Sequence, residues 1–74
     1  MSKKVFEIVA RIMGVPVEVV SLESSPETLE NWDSLRHMKL ILAIEESLDV
    51  QFRDEDIVGI KSVRDLLACV EARQ

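Results

Sequence analysis

Apolar residues Val5, Ile8, Val9 and Ile12 recur at three- and four-residue spacing, with Glu7 and Arg11 opposite them. This period predicts an amphipathic helix over 2–13, with Ser2 as its N-cap and Gly14 ending it. The helical period is then lost, and Pro16, Ser24, Ser25 and Pro26 mark 14–33 as a long loop. Within it, Val15 to Val20 alternates like a strand, but no second segment offers it a partner, so a strand is rejected. A loop of this length is unusual in a small domain; its valines, with Leu22 and Leu29, are expected to pin it to the core. A second helix is predicted over 34–48, capped by Asp33 or Ser34. Met38, Ile41, Ile44, Glu45 and Leu48 are assigned to its inward side, and Arg36, Lys39, Ala43, Glu46 and Ser47 to the solvent side. Leu35 and Leu42 lie on the border. Asp54 is expected to cap a short helix over 54–58. Ser62 with Asp65 resembles a capping box opening a last helix over 62–73, striped by Val63, Leu66, Leu67 and Val70. The expected fold is all-α, a four-helix bundle of three main helices and a short one, forming one domain over 1–74.

Composition narrows what such a bundle can do. At 74 residues, the chain is near the small end of what one core stabilises alone. Its one cysteine, Cys69, cannot form an internal disulfide, and with His37 as the one histidine there is no plausible zinc site. Cys69 borders the last helix's stripe and is expected to be a small buried apolar residue. No apolar run approaches the roughly 18 residues of a membrane span, and no signal-peptide layout opens the chain, so the expected compartment is the cytoplasm. A formal net charge of -5 repels phosphate backbones, which excludes nucleic acid and favours protein partners. No constellation of residues could run a reaction, so an enzyme is not expected.

The candidate chemistry sits where the long loop delivers Asp33-Ser34-Leu35 to the start of the second helix. In that setting the tripeptide resembles the attachment motif of acyl carrier proteins. The resemblance extends through Met13-Gly14-Val15, Trp32-Asp33-Ser34-Leu35, Ala43-Ile44-Glu45-Glu46, Asp54-Glu55-Asp56-Ile57 and Ile60-Lys61-Ser62-Val63. It implies a carrier-protein bundle in which a separate phosphopantetheinyl transferase moves the 4'-phosphopantetheine of coenzyme A onto Ser34. The arm's thiol would then hold an acyl or aminoacyl group as a thioester, handed between loading and biosynthetic enzymes by a monomeric carrier. Independently of the family, a serine at a helix N-terminus sits beside unpaired N–H groups and the positive end of the helix dipole, where a phosphate is favoured.

Neighbouring residues also have plainer readings. Taken alone, Ser34 and Asp33 are capping residues. His37 is tempting as a base for Ser34, but a histidine satisfied by a nearby backbone or capping group is the better account, and no catalytic role is assigned to it. Trp32 is expected to anchor the loop in the core. Primary fatty-acid carriers resemble one another in having acidic residues two and five positions after the serine, where this chain has Arg36 and Lys39. Arg36, Lys39, Leu42 and Glu46 are therefore the expected partner-binding residues of a carrier dedicated to a specialised pathway, in which charge selects the cognate enzymes. The competing reading is an unmodified helical interaction module that uses Leu35, Leu42 and nearby charges to bind a partner helix or groove.

Overall fold

Helix α1 (Ser2–Met13) buries Val5, Ile8, Val9, Ala10 and Met13; three of these belong to the stripe that spacing marks out, whose fourth member, Ile12, is half-buried. The structure, a computed structural model, describes residues 2–73; Met1 and Gln74, the ends of the domain expected over 1–74, lie outside the described residues. Ser2 is itself helical, the first residue of α1 rather than the cap expected of it. Gly14 ends the helix at φ +71°, a left-handed conformation that glycine adopts without steric cost. Its N–H returns to the Ala10 carbonyl at 2.9 Å, as in an αL C-cap.

The loop 14–33 is held by its own hydrogen bonds. Val17–Val19 form a single 3-10 turn, and the described residues contain no strand. The Ser21 N–H donates to Ser24 Oγ at 2.9 Å and the Ser25 N–H to Thr28 Oγ1 at 2.9 Å, the short side-chain turns that serine and threonine favour. Val20, Leu29 and Trp32 are buried, whereas Val17 and Val19 stay exposed, so only some of the expected pins are used. The loop also completes another element. The carbonyls of Ser24 and Leu22 accept the N–H groups of Val63 and Arg64, each at 2.9 Å, and an Arg64–Glu23 ion pair lies alongside. Those two N–H groups belong to the first turn of α4 and have no partner within their own helix.

Helix α2 (Ser34–Leu48) buries Leu40, Ile41 and Ile44. Its rotation differs from the expected one: Met38 is 44% exposed and Leu40 fully buried. Apolar residues at 35, 38, 40, 41, 42, 44 and 48 spread around more than one side of this helix, so periodicity alone does not fix which arc faces inward. Ala43, expected in water, packs partly against the core. Asp49 closes the helix in the left-handed region at φ 55°.

Helix α3 (Asp54–Gly59) contains no fully buried residue. Asp54, expected as its cap, is its first helical residue; instead the Arg53 N–H donates to Asp56 Oδ2 at 3.0 Å. In α4 (Val63–Ala72), Ser62 Oγ accepts the Asp65 N–H at 3.2 Å, while Asp65 Oδ2 accepts the N–H of Lys61 at 3.0 Å, one residue earlier than a capping box requires. The helix buries Val63, Leu66 and Val70 and ends at Ala72, with Arg73 as its C-cap. Cys69 is half-buried, and burial raises its thiol pKa above the ordinary value.

Arg73 ties α4 to α3, with Nη2 and Nε lying 2.7 and 3.0 Å from Asp56 Oδ2. The Arg53 N–H, and after it Arg73, hold the Asp56 carboxyl below its ordinary value of 3.8. A lowered folded-state pKa gives stability that is present above the unfolded value and lost as pH falls through the folded one. Asp56→Asn is therefore expected to melt below the parent at neutral pH, with the gap closing as pH falls below 3.8. Thermal midpoints measured across that range check this, and a gap independent of pH would contradict it.

Candidate functional site

Both sides of the loop–α2 junction are tethered to α1. Asn31 Nδ2 donates to the Met13 carbonyl at 2.9 Å and Arg36 Nη1 to the Ile12 carbonyl at 2.7 Å, occupying two carbonyls at the helix end that lack intrahelical donors. Between these tethers, Asp33 is the cap: its Oδ1 accepts the Arg36 N–H at 2.9 Å and its carbonyl the His37 N–H at 2.8 Å. Ser34 is the first residue of α2, and it is exposed. Its N–H and that of Leu35 precede the first intrahelical bond, so they face outward at the positive end of the helix dipole.

Beside Ser34 opens a cleft of about 490 Å³ lined by Trp32, His37, Met38, Ile57 and Val58 among others. Trp32 is 3% exposed, in keeping with an anchor, and its indole lies against the imidazole of His37 with ring centroids 6.2 Å apart. The Trp32 Nε1–H donates to His37 Nδ1 at 3.0 Å, and His37 Nε2 lies 2.9 Å from the Ile57 carbonyl oxygen. An indole nitrogen can only donate and a carbonyl can only accept. His37 is thus the neutral tautomer protonated at Nε2, joining the loop, α2 and α3. Its partners are a backbone group, as expected, and a tryptophan. It makes no bond to Ser34 in this arrangement.

The expected partner-binding residues separate. Lys39, Leu42 and Glu46 are exposed on α2, as is Leu35. Arg36 is half-buried and spends its guanidinium on α1, so it is not the solvated cation that sequence position suggests. Leu42 and Glu46 lie in a second depression with Glu45, Asp49 and Arg73, away from Ser34. The sequence reading missed Val58, which is 78% exposed at the cleft. Ile57 and Val58 are adjacent in a six-residue helix, and of the two it is Ile57 that packs partly against the core.

The family described as "Phosphopantetheine attachment site" matches residues 3–70. An acyl carrier protein of Syntrophobacter fumaroxidans is 35% identical over 66 residues, 89% of this chain and 82% of that protein. The solution structure of a holo acyl carrier protein from Geobacter metallireducens superposes with a TM-score of 0.86 at 26% identity, covering 97% of this chain and 83% of that one. A structure from Mycobacterium tuberculosis, described as a candidate acyl carrier protein, matches in fold with a TM-score of 0.86 at 21% identity, over 96% of this chain and 95% of that one. With a motif-bearing serine at the start of α2 and an all-helical fold shared with these proteins, the chain belongs to the phosphopantetheine-attachment family of acyl carrier proteins, and it is a carrier, not an enzyme.

Proposed function

We propose that Ser34 is the residue that receives the phosphopantetheine. The observation that carries this reading is the exposed Ser34 hydroxyl at the first position of α2, inside Asp33-Ser34-Leu35 and at the mouth of the cleft. Asp33 holds the Arg36 N–H, which leaves those of Ser34 and Leu35 to face a phosphate. The tethers from Asn31 and Arg36 to α1 fix where the hydroxyl is presented. The bound group supplies a thiol that carries cargo as a thioester. Ser34 has no base partner of its own, so the proton is removed by the transferase. Incubating the protein with coenzyme A and a broad-specificity phosphopantetheinyl transferase should add the mass of one phosphopantetheinyl group, and an unchanged mass would overturn the reading. The unmodified interaction module is not favoured, because the family match spans residues 3–70.

The carrier works with biosynthetic enzymes and a transferase, and no helix of the described residues is long and apolar enough to cross a membrane. The finer reading is a monomeric cytoplasmic carrier of a specialised pathway, whose partners meet Leu35, Lys39, Leu42 and Glu46. Since Arg36 is tied to α1, Lys39 carries the charge reversal relative to fatty-acid carriers. Rim charges act mostly on association rate, and at ordinary salt they reach only about 8 to 10 Å. Lys39→Glu is thus expected to speed acylation by a fatty-acid-type loading enzyme at low salt, with the gain shrinking as salt rises. Stopped-flow acylation rates check this; equal rates throughout would make Lys39 ordinary solvated surface.

A further inference from the structure

We infer that His37 is a specificity-determining residue that bars long aliphatic cargo from entering between α2 and α3, so that this carrier takes short or polar acyl or aminoacyl groups that ride outside the bundle. The inference rests on the Ser34 reading and deepens it by naming the class of cargo.

The α3 wall of the cleft is lightly anchored. It contributes no fully buried residue; Ile57 packs partly against the core, and Asp56 is bound to Arg73. The link from α3 to α2 at the cleft is the His37 Nε2–H bond to the Ile57 carbonyl, 2.9 Å long. His37 and Ile57 both line the cleft beside Ser34, so this bond joins its two sides. An alkyl chain led inward from Ser34 meets that bond, and a separation of 2.9 Å admits no methylene between the atoms, since carbon contacts need about 4 Å. Displacing His37 would also strip the Trp32 Nε1–H of its acceptor in a side chain that is 3% exposed, and an orphaned buried donor is costly. Farther in, Ile41, Ile44 and Leu66 are packed with 1% exposure or less. A short or polar group requires none of this to move.

The test uses holo protein loaded with acetyl or octanoyl groups, with thioester cleavage by hydroxylamine followed by intact mass. In the parent, both thioesters should be cleaved at the same rate and both forms should melt at the same temperature. His37→Leu keeps much of the side-chain volume while removing both hydrogen bonds. In this variant the octanoyl thioester should be cleaved about tenfold more slowly than the acetyl one, since insertion of two methylenes shifts the equilibrium by that order. An octanoyl group already protected in the parent overturns the inference whether or not any variant folds. Equal cleavage of both cargoes in a His37→Leu protein with parent-like helical circular dichroism also overturns it. Should that variant not fold, His37→Met, whose flexible side chain fits irregular space, is read in the same way. Failure of the Ser34 reading would show separately, as no mass gain on incubation with coenzyme A and transferase before any cargo is loaded.

Discussion

Truncating Leu66 or Ile41 to alanine should each destabilise the protein by about 2 to 5 kcal/mol, the range for removing a large aliphatic side chain from a packed core. The two residues are 0% and 1% exposed, on α4 and α2 respectively. The loss combines the transfer free energy of the removed carbons with the cavity left in the core that both share with the fully buried Val5, Val9, Met13 and Leu40. Native domains are stable by only about 5 to 15 kcal/mol, and one this small buries a lower fraction of its surface than larger ones. Either variant should therefore be partly unfolded near physiological temperature. Val58→Ala is the internal contrast, because a side chain 78% exposed should change stability by no more than about 0.5 kcal/mol. Denaturant titrations give all three values, and core variants as stable as the parent would show that the inward faces are wrongly assigned.

How much of this was legible in the sequence varied with how one-sided each element's pattern is. In α1, charged Glu7 and Arg11 stand opposite the valines and isoleucines, leaving one possible inward stripe. In α2, apolar residues spread over a broad arc that leaves only the side of Arg36, Lys39, Glu46 and Ser47 polar, and which part of that arc packs is decided by α1, not by local period. Met38 was thus placed inward and Leu40 overlooked. The cap of α2 was legible only as Asp33 or Ser34, both short polar side chains; in the structure it is Asp33 whose carboxylate reaches the N–H three residues on, that of Arg36. The tether from Arg36 to Ile12 spans 24 residues of sequence, and the His37 link to the Ile57 carbonyl spans 20. Neither contact has a periodic or compositional signature, because a backbone carbonyl accepts from any donor that tertiary structure brings to it. The loop likewise read as a long connection, while its role in pairing the first N–H groups of α4 depends on where Leu22 and Ser24 are brought in space.

Ser34→Ala should abolish phosphopantetheine loading completely while leaving the fold intact. The phosphodiester requires an oxygen nucleophile, and alanine offers none at that position. The capping oxygen of α2 belongs to Asp33, so removing the Ser34 hydroxyl takes away no bond that holds the helix. Ser34 is also exposed, and surface substitutions away from such bonds shift stability by only about 0.5 kcal/mol. Intact mass after transferase treatment should show full conversion of the parent and none of the variant, with superimposable helical circular dichroism. A variant that still gained mass would place the attachment elsewhere.

The same serine can be located without a substitution. The chain also has Ser2, Ser21, Ser24, Ser25, Ser47 and Ser62, and of these Ser24 is buried, with its hydroxyl accepting the N–H of Ser21. Fragmentation of the transferase-treated parent should place one phosphopantetheinyl group on the peptide containing Asp33-Ser34-Leu35, specifically on Ser34. A group found on any other serine, or no group at all, would contradict the assignment of this site.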